Sequence, residues 1–344
     1  MSGRSRLSFG FVALLGIVAS PVQFPSTPEP PELSAAAWIV VDTETAVTLA
    51  EENPDEERPM ASVTKLMTAL VVRQHADLEE RIRISEVAAD IGEAEVGLVA
   101  GEVWSVRDLL AAVLVRSGND AAVALAEHVG GSVEGFAELM NDHAVELGLE
   151  HSHFVNPHGL DEEGHYTSAR DLSVMASAVL NDPVLAQLTR TRLIRFKPAP
   201  TGTDRIVGNT NRLLGKYPGV TGLKTGYTND AGRVLVTAIE AEGRVFVTVV
   251  MGSDDHFADT SALLDYITAR ASLRERFVAP LVAREGGGGP AGDFDEQTEL
   301  LVKTLQPLPA GQNRTTQWGE TPGTRAIEDM VRSMLPAILG GAGG

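Results

Sequence analysis

Ser62 and Lys65, three residues apart in "RPMASVTKLMTAL" (residues 58–70), are a pair whose types and spacing could do chemistry. On a helix they share one face about a turn apart. Met60, Ala61, Val63, Leu66, Met67, Ala69 and Leu70 crowd the lysine with apolar side chains, which disfavours its charged form. A lysine stem snorkelling towards water would account for the position, and a serine at a helix start is ordinarily a cap. The chemical alternative makes Ser62 a nucleophile and Lys65 the base that takes its proton. An S-x-x-K arises about once by chance in a chain this long, so the pair alone decides nothing.

Two other segments could serve the same reaction. Ser117, Gly118 and Asn119 interrupt two helical patterns, as ordinary loop residues do. Lys224, Thr225 and Gly226 stand in a predicted strand, and a K-T-G has a chance expectation of roughly 0.1. The chain has lysines only at 65, 197, 216, 224 and 303, and two of them, Lys65 and Lys224, fall in the three motifs. The order S-x-x-K, S-x-N, K-T-G is that of serine enzymes acting on peptidoglycan stems and β-lactams.

The elements needed to position these groups are legible. Residues 35–53 read as two strands around a polar turn at 42–45. A helix runs from about Ser62 to Gln74, with Pro59 fixing its entry. Val106, Leu109, Leu110, Val113 and Leu114 give residues 105–117 helical spacing, ending at Gly118. A second helix starts with Asn119 and Asp120, and others are predicted at 132–147, 168–180 and from Pro183 to about Thr189. After Gly219 the chain turns rich in valine and threonine, predicting three strands and then a helix at about 256–272, with Asp254 and Asp255 near its start. Strands from both ends are expected to form one sheet, with the helical middle as a second lobe and the site in the cleft between them.

The bulk numbers narrow the partners. A net charge of −19 excludes a basic phosphate-binding face, so no nucleic-acid partner is expected. Cysteine is absent, which removes disulfides, thiolate metal sites and cysteine nucleophiles. Arg4 and Arg6 precede the apolar run 7–19, the pattern of an export signal, and the proline-rich stretch 21–31 separates it from any core. Residues 286–293, "GGGGPAGD", read as a linker. In the tail, Ile327, Met330, Val331, Met334, Leu335 and Ile338 share one helical face. The charges opposite are mixed rather than basic, so any membrane-surface contact through this segment is expected to be weak. The expected organisation is 1–37 export segment, 38–275 catalytic domain and 276–344 linker and tail.

Beyond the three motifs, "RPMASVTKLMTALVV", "SGNDAAVALAEHVGGS", "HFVNPHGLDEEGHYTSARDL", "NTNRLL" and "YPGVTGLKTGYTNDAGRVLV" resemble the serine D-alanyl-D-alanine carboxypeptidases, the low-molecular-mass penicillin-binding proteins. The resemblance covers roughly residues 38–275 and implies a mixed α/β fold of the β-lactamase/DD-peptidase type, an antiparallel sheet flanked by helices. It implies no cofactor, a peptidoglycan stem peptide as substrate and β-lactam antibiotics as covalent inhibitors. Ser62 would attack the terminal D-Ala-D-Ala bond, and Lys65, neutralised by burial and by Lys224, would take its proton. Ser117 would relay a proton to the departing amine, and Asn119 would hold the substrate amide or tether Lys65. Lys224 and Thr225 would grip the terminal carboxylate, Gly226 would allow close approach, and the amides of Ser62 and Tyr227 would form the oxyanion hole.

Other readings compete. His151, His153, His158 and His165 lie close together with Asp161, Glu162 and Glu163, but their spacing in a loop gives no ligand geometry, so no metal is expected. The motifs also suit a β-lactamase, or a non-catalytic wall-binding or β-lactam-sensing module. Some relatives place an arginine ahead of the K-T-G strand to help bind carboxylate. Here "GNTNRLLGK" leaves Thr210 and Arg212 as alternatives.

Overall fold

The computed structural model describes residues 28–197 and 204–277. Residues 1–27 of the expected export segment, the linker 286–293 and the tail segment 327–338 lie outside the described residues.

Strands β1 (Ala37–Asp42) and β2 (Val47–Glu52) form the first hairpin. A 3-10 turn, Ala61–Thr64, leads directly into α1 (Lys65–His75). A small hairpin of β3 (Arg81–Arg83) with α2 (Glu86–Ala89) and β4 (Val103–Ser105) follows. Next come α3 (Val106–Ala111), a π turn (Ala112–Arg116), α4 (Asn119–Gly130) and α5 (Val133–Leu147). After α6 (Ala169–Asn181) and α7 (Pro183–Arg190), β5 (Leu193–Phe196) and β6 (Arg205–Gly208) make another small hairpin. The chain then forms β7 (Val220–Thr228), β8 (Gly232–Ala241), β9 (Arg244–Ser253) and α8 (His256–Phe277).

Both ends of the domain meet in one antiparallel sheet of order β2-β1-β9-β8-β7, with Ile39 of β1 opposite Val249 of β9. Strand β1 reads AWIVVD without polar alternation because both of its faces are covered. Ala37, Ile39 and Val41 join the core shared with α1, α4 and α6, whereas Trp38 and Val40 pack with Leu263, Leu264 and Ile267 of α8. Helix α1 is buried continuously from Lys65 to Val72, so it has no wet face over its first two turns. That is why its lysine cannot snorkel.

Helix starts follow side-chain chemistry. Ser105, Ser132 and Ser168 each accept a hydrogen bond from the backbone N–H three residues on, a cap worth about 1 kcal/mol. Asp182 caps α7, with Pro183 in its first turn.

Three details differ from the sequence expectation. Ser62 sits in the 3-10 turn rather than in the α-helix itself. The helix expected over 105–117 changes from α to π at Ala112 and ends on Ser117 at φ 71°, a left-handed residue. The hairpins β3–β4 and β5–β6 and the single turn of α2 are too short to produce a periodic signal. Strand β7 ends the sheet, and the Ala61–Thr64 turn packs against it.

Candidate active site

The turn before α1, the junction between the π turn and α4, and strand β7 bring their polar side chains into two hydrogen-bonded groups. The first centres on Lys65. Its side chain is fully buried, and Nζ lies 3.0 Å from Ser62 Oγ, 2.8 Å from Asn119 Oδ1 and 2.5 Å from the His158 carbonyl oxygen. Two of these partners can only accept from it. A neutral amine has two hydrogens and one lone pair, so donating to Asn119 and His158 leaves the lone pair for the Ser62 hydroxyl proton. Lys65 is held well below the ordinary lysine value, first by burial and then by the charge of Lys224, against smaller opposing effects of Asp120 and Glu93.

The second group centres on Lys224, also fully buried. Its Nζ donates to Ser117 Oγ and to the Thr225 carbonyl oxygen, both at 2.8 Å. Burial pushes it down to about 7. Thr225 Oγ1 donates to Thr210 Oγ1 at 2.7 Å, whereas the Arg212 guanidinium lies over the Phe257 ring, 5.7 Å from its centroid. Of the two residues left open by the sequence, Thr210 is the one beside Thr225.

Asn119 is fixed as firmly as the lysine it binds. Its backbone N–H donates to the Ala94 carbonyl oxygen and its Nδ2 to that of Gly92. Gly226 touches the turn that carries Ser62: a Cβ there would come within 3.0 Å of Ala61 Cβ and 3.1 Å of Ser62 N. Tyr227 follows on the edge strand, 62 % exposed, and the Arg233 guanidinium stands over its ring.

Several positions take roles at the site that the sequence reading did not assign them. Ala61, just before Ser62, has φ 50°, a left-handed conformation unusual for a residue with a Cβ. Asp120, fully buried, accepts from the N–H groups of Val96, Gly97, Leu98 and Ala121 and so ties down the loop beside Asn119. The histidine-bearing loop supplies structure: His158 offers its carbonyl to Lys65, and His165 Nε2 lies 2.8 Å from Thr64 Oγ1. Burial pushes His158 down to about 3 and His165 to about 4, so both rings are neutral at ordinary pH. Among the described residues no group of three or more His, Asp or Glu is placed to hold a metal ion. A cavity of about 330 Å³ beside the Ser62 turn is bordered by Met60, Ala61, Gly159 and His165 and by the acidic Asp161, Glu162, Glu163 and Asp230.

A serine 3.0 Å from a buried amine whose charged form is disfavoured by burial and by a neighbouring lysine, next to that second lysine paired with a hydroxyl, is equipped for acyl transfer. Comparison with known proteins agrees. The family model described as D-alanyl-D-alanine carboxypeptidase matches residues 24–255. The chain is 36 % identical over 265 residues to D-alanyl-D-alanine carboxypeptidase DacF of Bacillus subtilis, covering 73 % of this chain and 68 % of that one. It is 35 % identical over 263 residues to DacD of Escherichia coli, covering 72 % and 64 %. The chain thus spans about two thirds of the length of these curated relatives. Among solved structures, the D-alanyl-D-alanine carboxypeptidase of Mycobacterium tuberculosis H37Rv superposes with a TM-score of 0.67 at 32 % identity, over 72 % of this chain and 96 % of that one. The Streptomyces K15 DD-transpeptidase also gives 0.67, at 29 % identity over 70 % and 98 %.

Proposed function

The chain belongs to the D-alanyl-D-alanine carboxypeptidase family, and from that membership we propose that it removes the terminal D-alanine of peptidoglycan stem pentapeptides through an acyl-enzyme on Ser62. The observation that carries the reading is the buried Lys65 Nζ, 3.0 Å from Ser62 Oγ, with both hydrogens of its neutral form taken by Asn119 and His158.

The chemistry follows from that arrangement. Ser62 Oγ attacks the carbonyl carbon of the last peptide bond while its proton passes to Lys65. The oxyanion of the tetrahedral intermediate accepts from the N–H groups of Ser62 and Tyr227, each donor worth about 3–4 kcal/mol in comparable enzymes. Collapse breaks the C–N bond, and the departing amine takes a proton from Ser117. Ser117 recovers the one that Lys65 took from Ser62, leaving Lys65 neutral again while Lys224, 2.8 Å from Ser117 Oγ, stays charged against the substrate carboxylate. Water then attacks the ester, its proton returning through Lys65, and the shortened peptide leaves with Ser62 restored.

Lys224 and Thr225, with Thr210 beside them, bind the free carboxylate of the last residue, which selects chain ends. An arriving carboxylate raises the pKa of Lys224, so substrate itself holds that lysine charged. A β-lactam presents a similar carbonyl, but its leaving nitrogen stays tethered, so the acyl-enzyme persists. Because peptidoglycan lies outside the cytoplasm, the enzyme acts extracytoplasmically, as the export pattern at its start suits. Among the described residues no helix is long and apolar enough to cross a membrane. A weak membrane-surface contact through residues 327–338 rests on amphipathic spacing alone, and vesicle flotation tests it.

The decisive assay measures free D-alanine released from diacetyl-Lys-D-Ala-D-Ala by wild type and by Ser62→Ala, with intact-mass detection of a benzylpenicillin adduct. Wild type should release D-alanine and carry one adduct, and the variant should do neither. A well-folded wild type with no adduct overturns the reading. Sustained nitrocefin turnover would favour the β-lactamase alternative, to which neither the family nor these relatives lend support.

A further inference from the structure

The Ala61–Ser62 peptide is held by a one-way chain of hydrogen bonds from the 155–165 loop. Val155 N–H donates to His165 Nδ1 at 3.1 Å, so that nitrogen is an acceptor and the proton of the neutral ring is on Nε2. Nε2 lies 2.8 Å from Thr64 Oγ1, whose own hydrogen goes to the Ala61 carbonyl oxygen at 2.7 Å. The same carbonyl is pressed by Gly159: a Cβ there would stand 2.0 Å from the Ala61 oxygen. Both contacts converge on a residue whose φ of 50° is unfavourable for alanine and persists only where its surroundings enforce it.

A trans peptide is planar, with its C=O and N–H pointing in opposite directions. Pinning the Ala61 oxygen towards the 155–165 loop therefore turns the Ser62 N–H away from that loop; Gly226 of β7 lies beside that nitrogen, where a Cβ on it would stand 3.1 Å away. We propose that Thr64 and His165 are positioning residues for the acyl transfer, setting the Ala61–Ser62 peptide plane and so aiming the Ser62 N–H at the oxyanion. This rests on the carboxypeptidase reading above. Both side chains are buried, Thr64 completely and His165 with its edge on the cavity beside Ala61. Their effect reaches the reaction through one peptide group.

The test compares Thr64→Val, Thr64→Ser and His165→Phe with wild type, measuring penicillin acylation rate, kcat and KM for D-alanine release, and thermal melting. A peptidyl boronic acid serves as a tetrahedral mimic of the intermediate, and the peptide product ending in one D-alanine as a ground-state control. Thr64→Val should lower acylation and kcat by about 10- to 100-fold, the size of effect a misaimed catalytic group produces. It should weaken the boronate in proportion while leaving KM and product binding within about twofold. Thr64→Ser, which keeps the hydroxyl, should stay within about threefold of wild type, and His165→Phe should fall between the two.

Wild-type rates in a folded Thr64→Val overturn the proposal, as does equal weakening of boronate and product, which would mean general distortion. Should Thr64→Val fail to fold, His165→Phe and Thr64→Ser decide: no loss in the first, or a large loss in the second, overturns it. Wild type incapable of releasing D-alanine or reacting with penicillin would instead remove the carboxypeptidase reading, a result distinguishable from all of these.

Discussion

Asn119 Oδ1 accepts a 2.8 Å hydrogen bond from Lys65 Nζ, joining the first residue of α4 to the first residue of α1. The amide is anchored in turn by Gly92, so it cannot follow the lysine if the lysine moves. A neutral acceptor there binds the amine without supplying the negative charge that would keep it protonated.

Asn119→Asp should therefore impair catalysis through electrostatics rather than shape. A carboxylate at that spot raises the Lys65 pKa and withdraws the free base. The acid limb of the kcat/KM profile should move up by at least about one pH unit, and activity near neutral pH should fall by about tenfold or more. A pH profile unchanged in position would show that Lys65 is not the titrating base.

The two buried lysines also write themselves into stability. Both have folded pKa values below the unfolded one near 10.4, so in that window the unfolded chain binds more protons. Stability should accordingly rise with pH, for Lys224 from about 7 to about 10.4, by at most about 1.4 kcal/mol per pH unit. Urea midpoints at pH 7, 8 and 9 check this. Lys224→Met should lose one group's share of the slope, and an undiminished slope would refute the assignment.

On the acid side the buried histidines act in the same direction. His158 and His165 titrate at about 3 and about 4 in the folded protein but near 6.5 when unfolded. Their contribution is complete above about 6.5 and is lost as pH falls towards those folded values. Between pH 6 and 4.5 the urea midpoint should drop, with His165→Gln showing a shallower dependence than wild type.

Two glycine substitutions should separate stability from activity. Gly159→Ala drives a Cβ to 2.0 Å from the Ala61 carbonyl at φ 87°, so it should cost about 3 kcal/mol or more and yield little folded protein. Gly226→Ala meets its neighbours at 3.0–3.2 Å, which a few tenths of an ångström relieve. It should fold, yet acylate at least about tenfold more slowly, since the nucleophile turn is what gives way. Melting curves and stopped-flow acylation distinguish the two outcomes.

Much of this molecule can be read along the chain because the relevant forces act between near neighbours. The apolar run of β1, the valine-rich β7–β9, the serine caps of α3, α5 and α6 and the Asp182-Pro183 start of α7 are local patterns, and they announce their elements. The order of Ser62, Lys65, Ser117, Asn119, Lys224 and Thr225 is likewise a property of the chain. What escaped were features with short or no periodicity: the small hairpins, α2 and the π turn that delivers Ser117.

The amino-acid sequence by itself therefore determined which reactive groups exist, in what order, and which helices and strands carry them. Tertiary structure alone decided how they behave. The charged form of Lys65 is disfavoured because α1 runs through the core and Lys224 arrives from a distant strand; Thr210, not Arg212, reaches Thr225; and the left-handed Ala61 is held by Thr64, His165 and Gly159. Desolvation, Coulomb interaction and hydrogen bonding depend on distance through space, and no spacing along the chain encodes that.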